Sequence, residues 1–235
     1  MRYNSLKRIF NAVTQCIVPY KLIGKEKVKA GAGILVGNHY RNWDIVHMAC
    51  ASPDPVHYIA KQELFESKLV GKWCLKVQAI PVSRDGNDAN AVMQAIRYLK
   101  QGEKIAMFPE GTRNKTKNIE LLPLKGGAAL FGIKTKAPVY PIMCLRKTRF
   151  FIRTKIIIGD PVDLSQFYNK KCTLEELQYA EHLVREAMLK TKFRYLADRY
   201  QKKLNKQNLK RLKKGLQPLA NKYLVRLEEL LNERV

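Results

Sequence analysis

The sequence predicts an α/β domain, a mostly parallel or mixed sheet flanked by helices, and three observations predict it. Short aliphatic and β-branched runs recur through the middle of the chain, segments with helical spacing separate them, and turn residues punctuate the two. Strands that alternate with helices bury a sheet between helical layers. Hydrophobic residues make up 46% of the 235 positions, enough apolar surface for such a core. One principal domain is expected at this length.

Taken in order, residues 34–36, 56–60, 77–82, 104–108, 139–144 and 155–158 read as strands, and 43–51, 87–101 and 126–135 as helices. Near the start, Leu6, Phe10, Val13 and Ile17 recur three or four apart beside Arg2, Lys7 and Arg8, the pattern of a short amphipathic helix lying in a headgroup layer. From about Thr173 the chain becomes strongly helical, with Leu189, Phe193, Leu196, Tyr200 and Leu204 on one stripe. The stripe resumes at Leu209, Leu212 and Leu216, and Pro218 breaks it before a last short helix over 219–232.

Charge divides the chain further. There are 44 Lys and Arg against 20 Asp and Glu, a net charge of +24, which calls for anionic partners. Residues 1–30 hold seven basic side chains and one Glu, and residues 190–235 hold fourteen against four. The expected organisation is therefore a membrane-contacting basic segment over 1–30, the α/β domain over 31–189, and a basic helical extension over 190–235. A nucleic-acid-binding protein is the alternative that charge alone allows. It is not expected, because no helix-turn-helix, aromatic RNA-binding signature or zinc-ligand spacing is present.

The five cysteines are scattered and form no CxxC pair, so neither a disulfide framework nor a zinc site is suggested and a reducing cytosol is the expected home. The apolar stretch over 9–20 is interrupted by Asn11, Thr14, Gln15 and Pro19, far short of the roughly 20 apolar residues that span a bilayer. A peripheral protein at the cytoplasmic face of a membrane is expected.

Two loops carry chemistry. After the 34–36 strand, His39 and Asp44 stand five positions apart where a strand hands over to a helix, with Asn42 as the expected N-cap. Asp44 in the first turn can reach back to one ring nitrogen of His39, fixing the tautomer and leaving the other nitrogen as a general base. After the 104–108 strand comes Pro109-Glu110-Gly111-Thr112-Arg113, a glycine turn ending in a guanidinium that matches phosphate oxygens. Ligands of open α/β sheets bind at that edge. His47 and His57 read as ordinary packed or surface histidines.

In order and spacing, these segments resemble the 1-acyl-sn-glycerol-3-phosphate (lysophosphatidate) acyltransferase family of glycerolipid acyltransferases. His39 to Asp44 matches its first motif block, Ile80-Pro81-Val82-Ser83-Arg84 its second, Phe108 to Arg113 its third, and Ala137-Pro138-Val139-Tyr140-Pro141-Ile142 its fourth. Lys125, followed by Gly126 and Gly127, stands where the family has a lysine and glycine after the third block. The resemblance implies transfer of a fatty acyl group from acyl-CoA or acyl carrier protein to the free hydroxyl of lysophosphatidate, giving phosphatidate, with no cofactor. His39 and Asp44 would be catalytic. Arg84, Gly111, Thr112, Arg113 and Lys125 would bind the acceptor, with Glu110 either joining them or orienting its loop. Glycerol 3-phosphate and other lysophospholipids remain open as acceptors.

Overall fold

The computed structural model describes residues 3–68, 70–83, 88–116 and 121–203. The expected second-block Arg84, the stripe from Leu204 to Leu216 and the 219–232 helix lie outside the described residues. Six helices, α1 (Tyr3–Ile17), α2 (Trp43–Ala51), α3 (Val70–Lys76), α4 (Ala89–Lys100), α5 (Ala128–Thr135) and α6 (Leu174–Lys203), surround seven strands among the described residues. The strands are β1 (Tyr20–Ile23), β2 (Gly33–Gly37), β3 (Val56–Lys61), β4 (Ile80–Val82), β5 (Lys104–Met107), β6 (Val139–Cys144) and β7 (Thr154–Ile158). They form one sheet in the order β1-β7-β6-β2-β5-β3-β4, parallel at every pairing except β6 with β7.

Buried parallel strands explain why the central runs are largely apolar: β2, β5 and β6 are buried at every position, Lys104 at the start of β5 included. Side chains still alternate between faces. Ile34 and Val36 pack with α4, α5 and α6 residues such as Ala95, Phe131 and Val184, whereas Leu35 packs on the opposite face with Met48 of α2, Tyr20 and Cys74. Because β5, β2 and β6 are adjacent and parallel, the loops that follow them emerge side by side at one edge.

Three elements depart from the reading of the sequence. Residues 77–79, expected to begin a strand, close α3 instead: Val77 N bonds Trp73 O, Ala79 N bonds Cys74 O, and Gln78 takes a φ of 48°. A left-handed residue is how many helices end. Strand β1, unforeseen, lies within the 1–30 segment and pairs in parallel with β7, Tyr20 opposite Thr154. Its four residues include a lysine and sit in a basic stretch, so they carry no strand signature of their own. Position 190, the expected start of the extension, falls inside α6 without a break. Leu189 and Phe193 are buried there and Leu196 packs against the same core, so this part of the stripe faces the sheet and not a bilayer. Of the expected N-terminal stripe, Val13 is exposed and Ile17 half-buried, while the side chains of Leu6 and Phe10 lie outside the described residues.

Phe193, 3% exposed, tests how α6 is held. Phe193→Ala is expected to lower unfolding free energy by about 3 to 5 kcal/mol in chemical denaturation, the usual result of emptying a buried aromatic site. A change below about 1 kcal/mol would mean that α6 does not depend on this packing.

Candidate active site

His39 emerges two residues beyond β2, and its ring is stacked on Phe108, the residue after β5, with centroids 4.1 Å apart and planes 16° from parallel. Its Nδ1 lies 3.2 Å from Asp44 Oδ2. The same oxygen accepts the backbone N–H groups of Tyr40 and Arg41, each at 2.6 Å. Asp44 is 1% exposed, so its carboxylate gathers two amides and an imidazole where water cannot compete. A carboxylate only accepts, so Nδ1 carries the hydrogen toward it and Nε2 keeps its lone pair.

Asn42 corrects one expectation. It occupies the N-cap position, but its φ of −59° and ψ of −26° are already helical and its side chain makes no capping bond. A capping side chain needs extended backbone to aim at the helix amides. The Asn42 Oδ1 instead accepts from Arg113 Nη1 at 3.2 Å, drawing the guanidinium from the β5 loop to the start of α2.

The β5 loop is tied to the β2 loop through Glu110. One oxygen of this buried carboxyl accepts His39 N at 2.8 Å and the other accepts Leu122 N at 2.8 Å. Burial pushes the Glu110 pKa up, against the lowering effect of these two amides. With both oxygens on backbone amides and 2% exposure, Glu110 has the geometry of a loop tie, one of the two roles its sequence position allowed. Asn114 N bonds His39 O at 2.7 Å and Lys125 N bonds Pro109 O at 2.8 Å, so both flanks of the loop are fixed.

Gly111 takes a φ of 63°, and a Cβ there would lie 2.7 Å from Lys125 Cδ. The glycine therefore gives the loop its left-handed turn and lets the Lys125 stem lie across it. Thr112, Arg113 and Lys125 are exposed at this rim. On the other side of β2, Asn38 clasps β6: its Nδ2 donates to Cys144 O at 3.1 Å and its Oδ1 accepts Cys144 N at 2.8 Å.

The Acyltransferase family model matches residues 20–145, which hold every feature of this edge. The chain belongs to the acyltransferase family. It is 31% identical over 158 residues to the 1-acyl-sn-glycerol-3-phosphate acyltransferase of Bacillus subtilis, covering 63% of this chain and 75% of that protein. It is 33% identical over 139 residues to the protein of the same name from Streptococcus pneumoniae, covering 56% of this chain and 50% of that one. Its fold is similar to the crystal structure of the 1-acyl-sn-glycerophosphate acyltransferase from Thermotoga maritima, with a TM-score of 0.59 at 23% identity and coverage of 79% and 76% of the two chains.

Beneath the acyltransferase loops is His47, expected from the sequence to be an ordinary packed or surface histidine. His47 is fully buried one helical turn after Asp44, with Nδ1 3.9 Å from Asp44 Oδ1, and neither ring nitrogen has a hydrogen-bond partner. Cys144 Sγ approaches the same oxygen at 3.9 Å, and burial, with Asp44 beside it, raises its thiol pKa well above the usual range. Asp44, His47 and Cys144 have metal-ligating atoms within 4.8 Å of one another, the one such grouping among the described residues. The signal available in the sequence was the i, i+3 spacing of Asp44 and His47, which places both on one helix face.

Burial pushes the His47 imidazole down to about 4 from 6.5, outweighing the opposite pull of Asp44. As pH falls from about 6.5 to about 4, the unfolded chain takes up a proton that the folded chain refuses, so stability drops across that window. The drop corresponds to about 3 kcal/mol. Glu110, raised by burial, acts in the opposite sense: its folded carboxyl holds a proton longer than the unfolded one, so stability falls as pH rises above the ordinary carboxyl range. Comparing wild type with His47→Leu isolates the histidine. The difference in unfolding free energy between the two is expected to shift by about 3 kcal/mol in favour of the variant between pH 7 and pH 4. A difference independent of pH would show that burial does not shift the His47 imidazole, and a shift against the variant would show that it is held protonated in the fold.

Proposed function

We propose that the chain transfers a fatty acyl group from an acyl thioester, acyl-CoA or acyl carrier protein, to the free hydroxyl of lysophosphatidate, giving phosphatidate. The observation that carries this reading is the His39–Asp44 pair with Nε2 free, beside a rim bearing Arg113 and Lys125. The names of the Bacillus and Streptococcus relatives agree with it. The family assignment gives no support to the nucleic-acid alternative.

In the proposed reaction His39 Nε2 removes the acceptor's hydroxyl proton as its oxygen attacks the thioester carbonyl. The tetrahedral adduct collapses, the carbon–sulfur bond breaks, and the thiolate takes its proton from the imidazolium. The oxygen ester forms with no covalent acyl-enzyme, because the thioester is already activated. No cofactor is required for the same reason. Asp44 holds the ring and offsets its transient positive charge. Arg113 and Lys125, with Arg84, hold the acceptor's phosphate so that the hydroxyl arrives beside His39, and this positioning contributes much of the acceleration. Attachment to an anionic membrane surface brings the enzyme to its lipid.

Acyl transfer by purified protein, with both donor types and a panel of acceptors, tests the reading. His39→Ala is expected to reduce kcat by at least about a hundredfold without loss of fold, and Asp44→Asn to impair it severely. Activity of His39→Ala near wild type would rule out the general-base assignment. Arg113→Ala is expected to raise KM for the acceptor far more than for the donor, and Arg113→Lys to restore it only in part, because an ammonium lacks the guanidinium fork. A monoacylglycerol used as readily as lysophosphatidate would refute phosphate anchoring.

A further inference from the structure

The connection between β6 and β7 ends in Arg149-Phe150-Phe151-Ile152, closed by an antiparallel bridge between Arg149 and Ile152. Phe151 is 79% exposed, more than any other large hydrophobic residue among the described ones, and Phe150 and Ile152 are 61% and 42% exposed. Phe151 also takes a φ of 58°, a left-handed conformation that a bulky side chain adopts at a cost and that glycine or asparagine would adopt easily. A turn that needed only to reverse the chain in water would not carry two aromatic rings there.

The tip is held firmly. Phe151 N bonds Ile17 O at the end of α1 at 2.8 Å, Leu145 N bonds Lys155 O at 3.0 Å, and Arg146 Nη2 donates to Arg153 O at 2.6 Å. Its collar is cationic: Arg146, Lys147, Arg149 and Arg153 flank the rings, and the sequence has no Asp or Glu between Glu120 and Asp160. Its place is beside the candidate active site. Lys147 Nζ donates to the carbonyls of Lys115 and Thr116 at 3.1 and 3.3 Å, in the loop whose Asn114 N bonds His39 O. The family match ends at Leu145, where this hairpin begins.

We propose that the 145–153 hairpin inserts into an anionic bilayer, Phe150 and Phe151 entering the interface while the four cations engage lipid headgroups and set the candidate active-site mouth against the membrane. Aromatic rings above a ring of cations fit a surface that is apolar below and anionic above. Duplex nucleic acid answers the charge alone and leaves the rings in water. The inference rests on the reading of the acceptor as a membrane lipid, since that gives the mouth a reason to face the bilayer.

The double variant Phe150→Ala/Phe151→Asn of the full chain, with wild type beside it, tests the inference by sedimentation with phosphatidylcholine vesicles containing phosphatidylglycerol. Partitioning is expected to weaken by about tenfold or more, with the melting temperature undiminished because both rings are largely exposed. Acylation of long-chain lysophosphatidate in those vesicles is expected to fall in parallel. Acylation of a short-chain, water-soluble lysophosphatidate is expected to stay within about twofold of wild type. Undiminished partitioning would overturn the inference, as would retention on nucleic acid in place of vesicles. Phe151→Trp reads the tip directly: brominated lipid is expected to quench its added fluorescence well beyond that of Trp43 and Trp73 in wild type. No added quenching would overturn the inference even if other segments hold the chain on the vesicle. Inactivity of wild type on both acceptors would instead count against the acyl-transfer reading while leaving the quenching result to judge the hairpin.

Discussion

The carboxylate of Asp44 is the interaction on which the rest of the site depends. One of its oxygens gathers the amides of Tyr40 and Arg41 and faces the ring of His39, all within 3.2 Å. The turn from β2 into α2 is wound around this atom, and the ring direction of His39 follows from the turn. A charge in so dry a place is tolerable because every lone pair in use has a donor, and the same dryness strengthens each of those bonds. The loop needs no side-chain cap at Asn42, whose amide is then available to Arg113.

Around that centre the sheet does the assembling. Parallel pairing of β2 with both β5 and β6 brings three loop ends to one edge, and long-range bonds lock them: Glu110 to the amide of His39, Asn38 to Cys144, and Asn114 to the carbonyl of His39. Each is made by a buried polar side chain or by the backbone of a buried residue, where the dry surroundings strengthen the bond. The long cations of the rim are left to the surface, where their charges stay hydrated until an anion arrives.

This division explains what was legible in the sequence. The His39–Asp44 contact spans five residues across a strand-to-helix turn, so spacing suggested it and the other motif blocks gave it weight. The core strands announced themselves because burial on both faces requires largely apolar runs. The role of Glu110 depends on an amide 71 positions away, and a carboxyl beside a glycine turn reads equally well as a ligand contact. Strand β1 is defined by its partner β7, more than a hundred residues later, and not by its own four residues. The exposure of the aromatic pair at 150–151 is a property of the folded hairpin and has no signal in one dimension. The apolar stripe of α6 had two possible burial partners, the sheet and a bilayer, and periodicity is the same for either.

The buried His47 completes the electrostatic argument. Two imidazoles flank the Asp44 carboxylate, one on each oxygen. Desolvation disfavours a proton at His47, where neither ring nitrogen has a hydrogen-bond partner. His39 differs in that its edge reaches the surface, with 16% of its side chain exposed. The outer ring is the one that meets substrate in the proposed reaction. Burial depth, more than residue type, separates the two histidines, and it does so because α2 turns one of them into the core and the loop before it turns the other out.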